Sequence, residues 1–325
     1  MSGIITSGEK HLVLVSGRAH PQLAKDIASE LGTELVETEL RTFANGEIYA
    51  RYGESVRGAD VFVIQSHGDP INEWLMEQII MVDALKRASA KRITVVAPCY
   101  PYARQDKKGR GREPISARLV ADLFKAAGAD RIMSVDLHAS QIQGFFDGPV
   151  DHLFAMPVLL QHFREHLASD KLTIVSPDMG RVRVADHWSD QLDAPLAIIH
   201  KRRDPKVANQ VTVHDIVGEV RGRDCLLVDD LIDTGGTIQK AAEALKKNGA
   251  ERVVVAATHA VFSHPASERL SSDAIDEVVV TDTLFIPEEK RFEKLTILPI
   301  APLLARAIHE VFEDGSVTSM FDGAA

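Results

Sequence analysis

Two cysteines in 325 residues leave no room for a disulfide framework or a cysteine-ligated zinc site. Cys99 and Cys225 each stand in an apolar run of strand character, so they read as buried thiols of a reducing compartment. Long apolar runs are missing as well. No stretch reaches the length that crosses a bilayer, and the run from His11 to Val15 is too short for the apolar region of a signal peptide. A cytoplasmic protein that does not engage membranes is expected. Positive charge is in deficit, with 37 Lys and Arg against 47 Asp and Glu and a net charge of -10. That balance argues against a nucleic-acid binder that draws its affinity from phosphate neutralisation, but it leaves nucleotides open, because a local basic loop is enough for them. A Walker loop is absent too. The near match from Gly3 to Lys10 has Glu9 where the lysine belongs.

What is present describes an ordinary globular protein, 45% hydrophobic and 26% charged, and too long for one comfortable core. Apolar strand-like runs alternate with amphipathic helical stretches. The runs at Leu12 to Val15, Val61 to Gln65, Ile93 to Ala97 and Ile132 to Val135 are interleaved with helices at Pro21 to Leu31, Trp74 to Arg87 and Ile115 to Ala127. A second series follows: helix Ala155 to Leu167, strand Leu172 to Val175, helix Val182 to Gln191, strand Leu196 to Ile199, then Cys225 to Val228 and Arg252 to Ala257. This rhythm predicts βαβ units and mainly parallel sheets. Lys125 to Ala139 (KAAGADRIMSVDLHA) lies on Lys246 to Ala260 (KKNGAERVVVAATHA) without a gap, which points to a duplication. The expected architecture is α/β, two tandem domains at 1–154 and 155–325, each a mainly parallel sheet flanked by helices.

The most informative stretch is Cys225 to Gly249. A strand is followed by Asp229 and Asp230, then Asp233, Thr234, Gly235, Gly236 and Thr237, then a helix at Ile238 to Lys247 stopped by Gly249. A helix N-terminus stripped of bulky side chains favours a phosphate through its unpaired N–H groups and its dipole. The carboxylates suit vicinal hydroxyls or a hydrated Mg²⁺. A ligand with a phosphate at one end and a diol at the other fits this loop, and ribose 5-phosphate is such a ligand.

Other stretches carry charge at strand ends, where ligands of parallel sheets gather. Tyr100 to Arg112 is rich in cations and holds Arg104 and Gln105, suited to a polyphosphate and a base. Lys201, Arg202 and Arg203 form a second cationic cluster of the kind that stabilises charge in phosphoryl transfer without a covalent nucleophile. His138, with Asp136 nearby, and Asp178 are candidate metal or phosphate contacts, Asp178 being the better direct ligand of a hard Mg²⁺. The segment Phe43 to Glu47 reads as a turn.

Taken together, FANGE (43–47), YPYARQDKK (100–108), VDLHASQIQGFFDGPVDH (135–152), VSPDMG (175–180), HKRR (200–203) and VDDLIDTGGT (228–237) resemble the ribose-phosphate diphosphokinases. The likeness is close to the bacterial class dependent on phosphate and Mg²⁺. The last string alone would be shared with phosphoribosyltransferases. The resemblance implies two phosphoribosyltransferase-like domains and transfer of a diphosphoryl group from ATP to ribose 5-phosphate, with AMP leaving. It implies that Asp229, Asp230, Asp233, Thr234, Gly235, Gly236 and Thr237 hold ribose 5-phosphate. Phe43, Asn45, Gly46, Glu47, Arg104, Gln105 and His138 would serve ATP, His138 also its metal and Asp178 a second metal position, and Lys201 and Arg203 the transferring group. It further implies a homo-oligomer, commonly a hexamer, whose ATP site takes the Phe43 loop from a neighbouring subunit. Activation by phosphate and inhibition by ADP would engage Ser55, Arg57, Arg112, Ser140, Gln143, Ser316 and Phe321, with the tail 313–325 at a subunit interface. Many relatives have Asp at position 45 and Asn at position 152, where this chain has Asn45 and His152.

Three other readings compete. A catalytically silent regulatory relative typically loses the catalytic loop, yet Lys201, Arg203, His138 and Asp178 are all present. A phosphoribosyltransferase would not require the Arg104 loop or FANGE. An RNA-binding regulator is disfavoured by the net charge of -10.

Overall fold

The computed structural model describes residues 5–7, 10–167, 170–203 and 211–321, with the backbone alone at 5–7, 201–203 and 211–214. The chain divides into two compact units, Met1–Ala155 with Thr283–Phe285 and Pro299–Ala325, and Met156–Asp282 with Ile286–Leu298.

The first unit opens with β1 (Ile5–Ser7), β2 (Lys10–Ser16) and α1 (Pro21–Glu30), followed by a hairpin of β3 (Thr38–Thr42) and β4 (Ile48–Tyr52). Then come β5 (Asp60–Ile64), α2 (Ile71–Arg87), β6 (Arg92–Val96), α3 (Ser116–Ala127), β7 (Arg131–Val135) and β8 (Val150–Leu153). The sheet runs β1-β2-β5-β6-β7-β8, parallel except for β1, and the β3–β4 hairpin stands apart as a two-stranded ribbon. Parallel strands are covered on both faces, which is why DVFVI of β5 is buried at every position. Helix α3 buries Ala117, Val120, Ala121, Phe124 and Ala127, the stripe that a period of 3.6 residues demands, and Gly128 ends it at φ 122°.

One buried group in this unit gives stability a pH dependence. His67, just past β5, is 3% exposed, with Nδ1 3.3 Å from the Cys99 carbonyl. Burial pushes its pKa down to about 4 against the hydrogen bonds that favour the charged form. An unfolded chain would take up that proton near the ordinary histidine value of about 6.5. His67 therefore contributes stability that is fully present above about pH 6.5 and is lost as pH falls through about 4. Replacing it, His67→Gln, is expected to flatten the fall in melting temperature across that window relative to the parent protein. Identical slopes would refute this.

The second unit carries α4 (Met156–His166), β9 (Leu172–Ser176), α5 (Val182–Leu192), β10 (Leu196–Arg203), β11 (Val211–Val217), β12 (Asp224–Ile232) and α6 (Gly236–Lys247). It continues with β13 (Arg252–Ala260), α7 (Ala266–Leu270), β14 (Glu277–Thr281) and β15 (Leu295–Leu298). Its sheet runs β11-β10-β9-β12-β13-β14-β15, and only β11 is antiparallel. The gap-free sequence match has a structural counterpart. Strand β7 lies between β6 and β8 as β13 lies between β12 and β14, and each follows a helix that stops at a glycine of positive φ, Gly128 and Gly249. Each unit also extrudes a ribbon. Beyond Ile198, β10 pairs only with β11, just as β3 pairs only with β4.

The last helix, α8 (Ala301–Phe312), departs from the expected boundary, since it belongs to the first unit and not to a second domain running to 325. Its apolar face buries Leu304, Ala305, Ile308, Val311 and Phe312, and it packs on α1. Charge fixes its end. Arg92 reaches Asp60 at 2.6 Å and Asp314 at 3.2 Å, and Lys10 also pairs with Asp314. Further on, Phe321 is buried and meets Phe154 edge-on, with ring centroids 5.4 Å apart. Among the described residues no helix is long and apolar enough to cross a membrane.

Candidate active site

Strand β12 continues four residues beyond the expected end at Val228, because β13 is equally long and pairs with it as far as Ile232↔Ala260. Asp229 and Asp230 therefore stand within the strand. Its pleat fixes them as neighbours of restricted freedom. Asp229 Oδ1 also accepts the Asp230 N–H at 2.9 Å. Burial, and next the negative charge of Asp230, hold the Asp229 carboxyl well above the usual carboxylate range. A pair in this state seeks hydrogen-bond donors or a cation.

After the strand the chain turns through Asp233 and Thr234 to Gly235, whose φ of 70° would strain any other residue. Gly236 is the first residue of α6, two positions earlier than the sequence expectation. Among the described residues no side chain caps α6, and its first turn carries no acid. The guanidinium of Arg269 donates to the Thr234 carbonyl at 2.9 Å, adding positive charge beside the helix N-terminus. This combination accepts an anion.

Asp178 follows β9, the strand beside β12. Its Oδ1 accepts the Gly180 N–H at 2.8 Å, and Ser176 Oγ donates to its carbonyl at 2.8 Å. This turn delivers a residue the sequence reading missed. Arg181 reaches Asp229 at 3.3 Å through Nε and Asp230 at 2.6 Å through a terminal nitrogen. A signal was available in its position at the start of α5, where the helix dipole disfavours a cation. Lys201 and Arg203 lie in β10, opposite His214 and Val211 of β11, and their side chains lie outside the described residues.

In the first unit, Phe43 to Glu47 forms the tip of the β3–β4 ribbon, a turn as expected. Phe43 N–H donates to the Glu47 carbonyl at 2.7 Å, Gly46 takes φ 91°, and Asn45 Oδ1 accepts the Glu47 N–H at 3.2 Å. The Phe43 ring is 43% exposed and the Arg41 guanidinium lies 5.1 Å from its centre. Arg18, held by the fully buried Glu77, donates to Thr42 Oγ1 at 2.9 Å and so braces the ribbon.

Arg104 and Gln105 are exposed in the loop after β6, with Gln105 Oε1 accepting Ser116 Oγ at 2.6 Å. Buried Asp106 accepts from Gln141, which ties this loop to the turn carrying His138. His138 itself is half-buried. Its loop is anchored by Leu137 N–H to His152 Nε2 at 2.9 Å and by Asp136 Oδ2, which accepts the Ala155 N–H at 3.0 Å. Its counterpart His259 is 3% exposed and inside β13. Ser55, Arg57, Arg112, Ser140, Gln143 and Ser316 are exposed in this unit, and Phe321 is buried.

Among the described residues no three His, Cys, Asp or Glu side chains gather to hold a metal ion. That donor set fits Mg²⁺ nonetheless, since Mg²⁺ usually takes one or two carboxylates together with substrate phosphates and water. Asp178, half-buried at a strand end, is a donor of that kind.

The chain is similar to known proteins along its length. Residues 12–128 match the model of the N-terminal domain of ribose phosphate pyrophosphokinase, and residues 202–322 match the phosphoribosyl synthetase-associated domain. A ribose-phosphate pyrophosphokinase of Streptomyces avermitilis is 65% identical over 322 residues, 99% of each chain. One from Corynebacterium glutamicum is 60% identical over 319 residues, 98% of each. The crystal structure of phosphoribosylpyrophosphate synthetase from Mycobacterium smegmatis superposes with a TM-score of 0.89 at 59% identity, covering 94% of this chain and 99% of that one. With family models over most of its length and relatives matched from end to end, the chain belongs to the ribose-phosphate pyrophosphokinase family.

Proposed function

We infer that the protein transfers the diphosphoryl group of ATP to the anomeric hydroxyl of ribose 5-phosphate, giving 5-phosphoribosyl 1-diphosphate and AMP. The observation that carries this reading is the run from the carboxylates of Asp229 and Asp230 to the uncapped N-terminus of α6 at Gly236, in a chain alike along its whole length to ribose-phosphate pyrophosphokinases. The acids take the ribose hydroxyls. Asp233, Thr234, Gly235, Gly236 and Thr237 take the 5-phosphate through hydroxyls and N–H groups. The anomeric oxygen attacks the β-phosphorus in line with the departing AMP oxygen, and Lys201 and Arg203 meet the charge that develops. His138 would meet the Mg²⁺ of ATP and Asp178 a second Mg²⁺ position; when bound, Mg²⁺ supplies charge neutralisation to the phosphates.

Arg104 and Gln105 serve the nucleotide, and the turn from Phe43 to Glu47 meets adenine on a neighbouring subunit of a homohexamer. Asn45 spends its side-chain oxygen on the turn, which leaves its amide group for the base. Phosphate activates and ADP inhibits through Ser55, Arg57, Arg112, Ser140, Gln143, Ser316 and Phe321. The enzyme works in the cytoplasm. Incubation with ATP, Mg²⁺, phosphate and ribose 5-phosphate is expected to yield AMP without ADP. Formation of ADP would indicate an ordinary kinase, and absence of nucleotide turnover would overturn the reading.

A further inference from the structure

The ion pair that spans both acids of β12 has no part in the function described so far. Arg181 is only 16% exposed at its side chain, and Asp229 and Asp230 are 16% and 10% exposed, so little water screens the contact. The guanidinium touches one oxygen of each carboxylate, at 3.3 and 2.6 Å, and these are atoms that vicinal hydroxyls would need. Helix geometry does not explain its place. Arg181 is the N-cap of α5, its side chain makes no capping bond, and the helix dipole there disfavours a cation. The carboxylates, not the helix, hold it. It follows an exposed turn, with Met179 61% exposed and Gly180 exposed beside it.

From these observations we propose that Arg181 is a built-in occupant of the ribose site, a cation that stands in for the substrate's donors and must be displaced from Asp229 and Asp230 before the ribose diol can bind. This deepens the reading of the two aspartates as diol acceptors and rests on it. Two consequences share one sign. In the empty site Arg181 stabilises an acid pair that would otherwise be uncompensated, and in the filled site that stabilisation is given up. Removing the guanidinium therefore raises the free energy of the empty state more than that of the complex.

Titration calorimetry with ribose 5-phosphate, in metal-free buffer and without nucleotide, reads this directly. Arg181→Gln is expected to bind about tenfold more tightly than the parent, the equilibrium worth of roughly one charge-assisted hydrogen bond. Its melting temperature without ligand should fall, and saturating ribose 5-phosphate should close the gap. Arg181→Lys, which keeps the charge but cannot span both carboxylates, should fall between the two. A structural role alone would not tighten binding. Weaker binding by Arg181→Gln would overturn the proposal and make the guanidinium a substrate contact, and unchanged binding would overturn it as well. If Asp229→Asn with Asp230→Asn binds ribose 5-phosphate as the parent does, the diol reading itself fails, a result distinct from either of these.

Discussion

Lys201→Ala is expected to lower turnover by at least about 10³-fold, roughly 4 kcal/mol of transition-state stabilisation, while folding and assembly stay as in the parent. Phosphoryl transfer through a loose transition state needs positioned positive charge more than it needs a nucleophile. The position of Lys201 makes the experiment clean. Beyond Ile198, β10 pairs with β11 and no longer with β9, so the backbone at Lys201 lies past the parallel body of its sheet. Loss of rate with unaltered melting temperature would assign Lys201 to chemistry. A purified variant that turns over near the parental rate would remove it from the mechanism.

Much of the fold is legible in sequence because a parallel sheet hides both of its faces. DVFVI and CLLV announce themselves as continuous apolar runs, and the helices between them show their stripes. The ribbons were not legible. TELRT of β3 is exposed or half-exposed at every position, and nothing in its pattern separates it from a loop. Its strand character comes from register with β4, a property of two segments and not of one. The return of α8 to the first unit was hidden for a related reason. An amphipathic helix states that it has a partner and does not name it, and the anchors, Lys10 and Arg92 on Asp314, join the two ends of the chain.

The site divides in the same way. The aspartates, the Gly-Gly pair and the helix behind them are contiguous, so their chemistry could be read directly. Arg181 could not be placed, because its contacts, Asp229 and Asp230, lie on β12, far along the chain from the start of α5 where it stands. The two matched histidines show what a sequence identity conceals. Strand β13 runs on to Ala260 and buries His259, whereas β7 stops at Val135 and leaves His138 on a half-buried loop.

Replacing both acids, Asp229→Asn with Asp230→Asn, is expected to lower kcat/KM for ribose 5-phosphate by about 10³-fold while shifting KM for ATP little. Two charge-assisted hydrogen bonds to a diol are together worth about 3–6 kcal/mol, so a lesser effect than about 10²-fold would remove the pair from substrate binding. The single change Asp230→Asn carries a second, independent signature. Asp229 is held above its ordinary value of 3.8 by burial and then by the charge of Asp230. For an acid raised in the folded state, stability is fully present below the unfolded value and is lost as pH rises through the folded one. The contribution of Asp229 to the parent's stability should therefore be lost as pH climbs upward from 3.8, and Asp230→Asn should lose less of it. Arg181 offsets only part of the cost of two adjacent buried carboxylates, since Asp229 stays raised beside it, so the same variant should be firmer when empty and poorer at holding ribose 5-phosphate.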